Sequence, residues 1–317
     1  MSGIVCIGEL LIDFVSQNTG NSIADTNSFI KKAGGAPANV AACIGKLGGN
    51  SLFIGKVGKD PFGEFLSNTL KSCHVNTDGL IHDPHLSTTL AFVSLMKNGE
   101  RDFIFSRGAD EKLRWEEINV ESLLSYPIFH FGSATAMLGG ELYNTYTKLF
   151  TLAIEEGKII SFDPNFRSDL WKNDIPSFIK RSEFFIENSN LVKVSEEELY
   201  ILTRESSLEK GCEKIHSLGT PLVLVTLGPK GTFLSTPDKN QIVTSIKVSA
   251  IDSTGAGDAF IGALLYQLAQ ANNPANLLKS FDSLKNLVSF ANKVGALTCT
   301  KYGAIDALPE RDDLLKI

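Results

Sequence analysis

Asp252-Ser253-Thr254-Gly255-Ala256-Gly257-Asp258, continued by the run AFIGALLYQLAQA over 259–271, is the stretch around which the rest of the chain can be ordered. Phe260, Ala263, Leu264, Leu268 and Ala271 recur at helical spacing, which predicts a helix packed on a core. Two glycines and an alanine at its entrance let backbone N–H groups approach a ligand with no side chain in the way. A helix's first turn has N–H groups without intrahelical partners, and the dipole adds partial positive charge there, so the entrance suits a phosphate. Asp258 falls inside that turn. A carboxylate so close to an anion site has a task at hand, taking the proton of an attacking hydroxyl. The same residues would also serve an ordinary helix start, with Asp258 complementing the dipole.

Upstream, short apolar runs alternate with helical patterns. GIVCIG, SLFIGKVG, IFHFGS, KIISFD, NLVKV and PLVLVTLG read as strands; PFGEFLSNTLKSC, 141–157, 177–186, 196–203 and 208–218 read as helices. Such alternation predicts a doubly wound, mostly parallel α/β sheet with helices on both faces. The pieces at 14–33 and 88–106 look antiparallel, the second with a hairpin turn at Lys97-Asn98-Gly99-Glu100, and predict a small β lid outside that sheet. No linker or repeat divides the chain, so 1–317 is read as a single domain.

Composition narrows the function. The net charge of −6 and the lack of a basic cluster argue against nucleic acid. No apolar run is long enough to span a membrane, and Glu9 and Asp13 come too early for a signal peptide. The five cysteines are scattered without C-x-x-C spacing, which suits buried thiols in a reducing compartment and points to the cytoplasm. None of the Gly-Lys pairs is followed by Ser or Thr, which excludes a P-loop, and the late G-A-G-D-A-F lacks the third glycine of a dinucleotide fingerprint.

Several other stretches carry polar chemistry. Gly34-Gly35-Ala36-Pro37-Ala38-Asn39 opens a helix, with Pro37 suited to the first turn and Asn39 placed to meet a hydroxyl. Asp13, in GELLIDF, is read as ending the first strand, where such sheets bind ligands. ERDFIFSRGAD sets Phe103 and Phe105 on one strand face ahead of Arg107. SFDPNFR is read as a strand end whose alternation lets Asp163, Asn165 and Arg167 face one side. Ser195-Glu196-Glu197-Glu198 is a capping box after a strand, and Thr226-Leu227-Gly228-Pro229-Lys230-Gly231 is a glycine turn able to present N–H groups.

Asp252–Asp258 resembles D-T-x-G-A-G-D, the second signature of the PfkB (ribokinase-like) family of sugar and nucleoside kinases. GGAPANVA at 34–41 resembles the first, G-G-x-x-x-N-x-A, in its fructokinase form. The likeness runs from Gly8 to Pro309. It implies a ribokinase-like kinase using ATP and Mg²⁺, with Asp258 as base and Gly255, Ala256 and Gly257 as anion hole. It assigns sugar binding to Asp13, Gly34, Gly35, Asn39, Phe105, Arg107, Asn165 and Arg167. Nucleotide contacts fall on Lys193, Thr226, Gly228, Gly231 and Asn292. Glu198 would organise Mg²⁺ through water and phosphate, although the family's N-x-x-E has Ser195 in place of Asn. Main-chain oxygens of Asp252, Thr254, Thr298, Lys301 and Gly303 would hold a monovalent cation such as K⁺. The lid implies a homodimer. RGAD at 107–110 and the lid phenylalanines favour fructose as acceptor, with 2-keto-3-deoxygluconate as the alternative. A non-catalytic sugar-sensing module on the same fold would show damage at Asp258 or its glycines, and these are intact.

Overall fold

The side chains of β1 (Gly3–Ile7) part to two sides: Ile4 and Cys6 enter one hydrophobic core, Val5 and Ile7 a second. That is the signature of a strand buried on both faces, which is why its run is continuously apolar. The computed structural model describes residues 2–17, 20–95, 101–172 and 174–316. After β1 the strands are β2 (Leu11–Ser16), β3 (Phe29–Gly34), β4 (Asn50–Gly58), β5 (Asn76–Asp83), β6 (Leu90–Leu95) and β7 (Arg101–Ser106). They continue as β8 (Ile128–Phe131), β9 (Ile159–Phe162), β10 (Leu191–Ser195), β11 (Leu222–Thr226), β12 (Thr232–Ser235) and β13 (Asn240–Val243).

Nine of them form one sheet in the order β13-β12-β11-β10-β9-β8-β1-β4-β5. Pairings from β11 through β5 are parallel, and β12 and β13 extend the far edge antiparallel. Helices Ala36–Lys46, Ala256–Gln270 and Phe281–Thr298 pack on one face, and Gly140–Glu155, Ile175–Glu187, Glu196–Thr203 and Leu208–Ser217 on the other. The doubly wound reading holds. Strand β5 escaped the sequence reading because NTDGLIHD is largely polar, as an edge strand is allowed to be. From β1 the chain builds outward through β4 and β5, then returns to build the other way from β8. The order therefore reverses between β1 and β8, and the crevice at their carboxyl ends is where such sheets take ligands.

The remaining strands make a second sheet, β3-β2-β6-β7. Its outer pairs are antiparallel, but β2 and β6 at its centre run parallel, so the pieces that look antiparallel in sequence are joined by a parallel seam. The expected turn at Lys97–Glu100 lies outside the described residues, while the strands flanking it pair as a hairpin does. One face carries Phe14, Phe29 and Phe92, with Phe14 edge-on to Phe62 of the Pro61–Ser72 helix. The register places Asp13, Val15, Ile30, Lys32, Ala91, Val93, Phe103 and Phe105 on the other face.

Candidate active site

Gly255 caps the Ala256–Gln270 helix with φ 75°, and a Cβ there would lie 2.7 Å from Ala304 Cβ. Only glycine meets both demands. No side-chain cap takes up the helix's first N–H groups. Lys193 reaches the same turn from β10, since a Cβ on Gly257 would lie 3.0 Å from its Nζ. Its ammonium is buried and bonds Asp163 at 2.7 Å. Burial alone would lower its pKa, but Asp163, Glu198 and Asp258 outweigh it and hold the group above its ordinary value. Ala256 N donates to the Ser253 carbonyl at 3.2 Å, so the N–H groups of Gly257 and Asp258, the dipole and a fixed cation meet here, as a phosphate site requires.

Asp258 lies in that turn, 7% exposed. Its Oδ2 accepts a 2.7 Å hydrogen bond from Asn39 Nδ2, so the first turns of two helices touch through one side-chain pair. Asn39 Oδ1 is buried with no partner among the described residues. A buried acceptor left open is destabilising, and a ligand hydroxyl would complete it.

The reading of Asp13 as the end of the first strand is corrected. Strand β1 stops at Ile7, Gly8 turns the chain with φ 145°, and Asp13 sits within β2 of the small sheet. The apolar residues on both sides of the turn disguised two strands as one. Asp13 stands opposite Lys32 on one side and Ala91 on the other, and Ala91 in turn opposite Phe105. Burial pushes its carboxyl up to about 6, opposed by Arg167 and reinforced by Glu9. A Cβ at Gly34 would collide with Asp13 Oδ2, and one at Gly35 with the Glu9 carbonyl oxygen. Both glycines are therefore demanded by close approach. Arg107, at the root of β7, donates to Asp110 at 3.4 Å and to the Thr135 carbonyl at 3.0 Å, while Phe105 stacks on Phe103.

The strand alternation read for Asp163, Asn165 and Arg167 is also corrected. Strand β9 ends at Phe162, and Asn165 adopts φ 45°, so the three side chains leave a loop in different directions. Asp163 turns to Lys193; Asn165 Nδ2 donates to the Gly132 carbonyl at 2.7 Å; Arg167 donates to Asn165 Oδ1 at 3.2 Å. Glu198 accepts from Ser195 N and from Phe166 N, both at 2.7 Å, which makes it the closing half of a capping box and the anchor of that loop.

On the far side of the cradle, Gly228 and Gly231 take φ 57° and 106°, and Thr226 Oγ1 donates back to Val194 O. Asn292 is largely spent on the fold, its Oδ1 accepting from Thr232 and its Nδ2 donating to Val243 O, which leaves a ligand only its remaining lone pair and N–H. Asp252 accepts from Thr254 N and from Gly303 N, both at 2.9 Å, so it ties together the loops carrying Asp252, Thr254 and Gly303. Thr298 is buried at the end of the preceding helix and Lys301 follows it, so all five positions named for a monovalent cation lie on two tied segments. No group of three or more His, Cys, Asp or Glu is arranged to hold a metal among the described residues.

The sequence reading missed the carboxylates beneath the pocket. Glu9, 1% exposed, accepts from Ala36 N at 3.0 Å, Ala134 N at 3.3 Å and the hydroxyl of Ser133, with Thr135 Oγ1 3.4 Å away. Asp110, equally buried, accepts from Thr135 Oγ1 at 3.0 Å and from the hydroxyl of Thr89. Their traces in sequence were an acid just past the apolar run of β1 and the closing residue of RGAD at 107–110.

An anion cradle facing a buried carboxylate, with a carboxylate-bearing sheet over the same crevice, is the layout of a phosphoryl transferase. The chain belongs to the pfkB family of carbohydrate kinases, whose sequence model matches residues 1–311. It is 42% identical over 316 residues to the probable fructokinase-6, chloroplastic, of Arabidopsis thaliana, covering 98% of this chain and 80% of that one. Among solved structures, the fructokinase of Xylella fastidiosa with bound ATP superposes with a TM-score of 0.89 at 33% identity, covering 99% and 97% of the two chains. The fructokinase of Vibrio cholerae O395, in its fructose, ADP and calcium ion bound form, gives 0.87 at 33% identity, covering 100% and 98%.

The raised pKa of Asp13 has two consequences with opposite signs. Relative to the unfolded chain it contributes stability that is fully present below about pH 4 and lost as pH rises through about 6. Asp13→Asn is therefore expected to stabilise the empty protein at pH 8, by on the order of 1 kcal/mol. An ionised carboxylate is the form that accepts hydroxyl hydrogen bonds, so with Asp13 as a sugar ligand the parent's sugar KM is expected to rise as pH falls below about 6. Thermal melts and sugar KM from pH 5 to 8 test both, and a flat KM profile would remove Asp13 from sugar binding.

Proposed function

We propose that the protein is an ATP-dependent hexose kinase that transfers the γ-phosphoryl group to the terminal hydroxyl of fructose. The observation that carries the transfer is the Asn39–Asp258 pair at the mouth of the anion cradle. Asp258 takes the proton of the attacking hydroxyl, and the N–H groups of Gly255, Gly257 and Asp258 receive the charge of the group in transit. Lys193, fixed by Asp163, adds its charge on the same side. Asn39 holds the Asp258 carboxylate in its aim, and its open Oδ1 accepts from the sugar.

The choice of a neutral acceptor rests on how the cations are already matched. Arg107 is paired with Asp110, Lys32 with Asp306 and Lys193 with Asp163, while Arg167 lies within electrostatic reach of Asp13. A sugar acid would bring a carboxylate to a place where these cations are already engaged, and an uncharged ketose asks for none. Mg²⁺ prefers waters and phosphate oxygens with few protein carboxylates. Glu198, held beside the phosphate side, suits contact through water and supplies charge balance when the ion is bound. K⁺ would take main-chain oxygens of the segments tied by Asp252.

Val15 and Ile30, opposite each other on the Asp13 face of the small sheet, are 42% and 43% exposed. That supports the sheet as a lid that meets its copy in a homodimer, and sedimentation showing only monomer at micromolar concentration would end that reading. The five cysteines are unpaired thiols, consistent with a reducing compartment such as the cytoplasm. No helix among the described residues is long and apolar enough to cross a membrane.

Two measurements test the reading. Asp258→Asn is expected to lower kcat by roughly 10²–10⁴-fold with sugar and ATP binding largely kept, as for loss of a positioned base. Turnover within about threefold of the parent would take Asp258 out of the chemistry. In a screen of sugars and sugar acids with ATP, fructose is expected to give the highest kcat/KM. A tenfold preference for 2-keto-3-deoxygluconate, at about 1.4 kcal/mol, would overturn the neutral-acceptor argument.

A further inference from the structure

Glu9 sits at the point where the strand order of the main sheet reverses, on the turn that follows β1 and beside the Gly132–Thr135 turn that follows β8. Three of its four neighbours donate to it. Ala36 N and Ala134 N carry fixed hydrogens. Ser133 Oγ already accepts from Thr135 N at 3.2 Å and from Ala136 N at 2.8 Å, so its lone pairs are taken and its own proton goes to Glu9. Thr135 Oγ1 lies between the two acids, 3.4 Å from Glu9 and 3.0 Å from Asp110, and its single proton goes to the nearer carboxylate. Burial pushes the Glu9 carboxyl up, and these three donors oppose that shift, each favouring the carboxylate form.

The bond to Ala36 has a further effect. The Ala36–Lys46 helix has Gly35 at its N-cap and no side-chain cap of its own. Glu9 supplies the missing acceptor from outside the helix, at the positive end of its dipole. Three residues on, the same helix presents Asn39 to Asp258. In the other direction the network passes through Thr135 to Asp110, which holds Arg107 and Thr89 at the root of the small sheet. One buried carboxylate thus joins the GGAPAN turn to the strand-end loop, and through it to the lid.

We propose that Glu9 is the positioning residue of the acceptor half of the site: it fixes the start of the Ala36–Lys46 helix, and with it Gly35, Asn39 and the aim of Asp258. It touches neither substrate. This rests on the sugar-kinase reading above, so the test uses whichever sugar the parent phosphorylates best.

Glu9→Gln conserves shape but turns an amide N–H₂ toward the hydroxyl of Ser133 or the N–H of Ala36, donor against donor. Because the ATP side of the cradle is built from other segments, we expect sugar KM to rise at least about tenfold and kcat to fall, with ATP KM within about twofold. Thr135→Val removes only the hydroxyl between the two carboxylates and guards against a Glu9 variant that does not fold. It is expected to raise sugar KM by about threefold or more, again sparing ATP KM. Thermal melts separate this from general damage, because a merely structural role would lower Tm and move both KM values together or neither. Unchanged sugar KM in a folded Glu9→Gln enzyme would overturn the proposal. So would a rise in ATP KM as large as the rise in sugar KM, or, where Glu9→Gln does not fold, unchanged sugar KM in Thr135→Val. A parent that phosphorylates no sugar would overturn the functional reading itself.

Discussion

A buried carboxylate set beside an anion cradle places negative charge where charge of its own sign is unwelcome. Much of the architecture around Asp258 answers that difficulty. The uncapped first turn of its helix supplies partial positive charge, Lys193 supplies a full one, and Asn39 donates directly to the carboxylate. Each contribution comes from a different element: the Ala256–Gln270 helix, strand β10 and the Ala36–Lys46 helix. Lys193 in turn needs Asp163 to be tolerable while buried. Taking away any one of these groups would strand a buried charge, which costs far more than a gap in the packing.

The sheet makes that convergence possible. Its strands are buried on both faces, so their side chains are committed to two cores, and the chemistry falls to the turns at their carboxyl ends. Close approach then selects glycine where backbones meet. Gly35 lies on the Glu9 carbonyl and Gly255 on Ala304, and neither position has room for a methyl group. The small sheet brings Asp13 to the same crevice from above, with its phenylalanine face packed on the Pro61–Ser72 helix. Its opposite face keeps both a carboxylate and exposed aliphatic residues, which a sheet serving only the core would have no reason to do.

The cradle was legible because its meaning is local. Gly255, Gly257 and Asp258 owe their geometry to one helix start, and a helix start is written in adjacent residues. The doubly wound order was legible for a similar reason, since alternating strand and helix patterns constrain the crossovers. Asp13 and the Asp163–Arg167 loop were misplaced because apolar spacing says where side chains are buried, not where the backbone turns. Gly8 at φ 145° and Asn165 at φ 45° are the residues that break the pattern. The role of Glu9 could not be read from its position alone: its neighbours Ser133 and Thr135 lie more than a hundred positions away and only the topology delivers them.

Two buried acids, Glu9 and Asp258, show how environment separates roles that residue type leaves open. Glu9 is met by two backbone N–H groups that cannot turn away and by the Ser133 hydroxyl, with Thr135 Oγ1 beside them, so little acceptor capacity is left to reach for a substrate proton. Asp258 is met by one side-chain donor on one oxygen, at the open end of a helix. A carboxylate whose acceptor capacity is filled holds structure in place; one with capacity to spare can receive a proton. Asn39 lies between them, positioned by the first through the helix it begins and bonded to the second through its amide. Its Oδ1, unpaired among the described residues, is then the acceptor in this chain of contacts left open for a ligand hydroxyl.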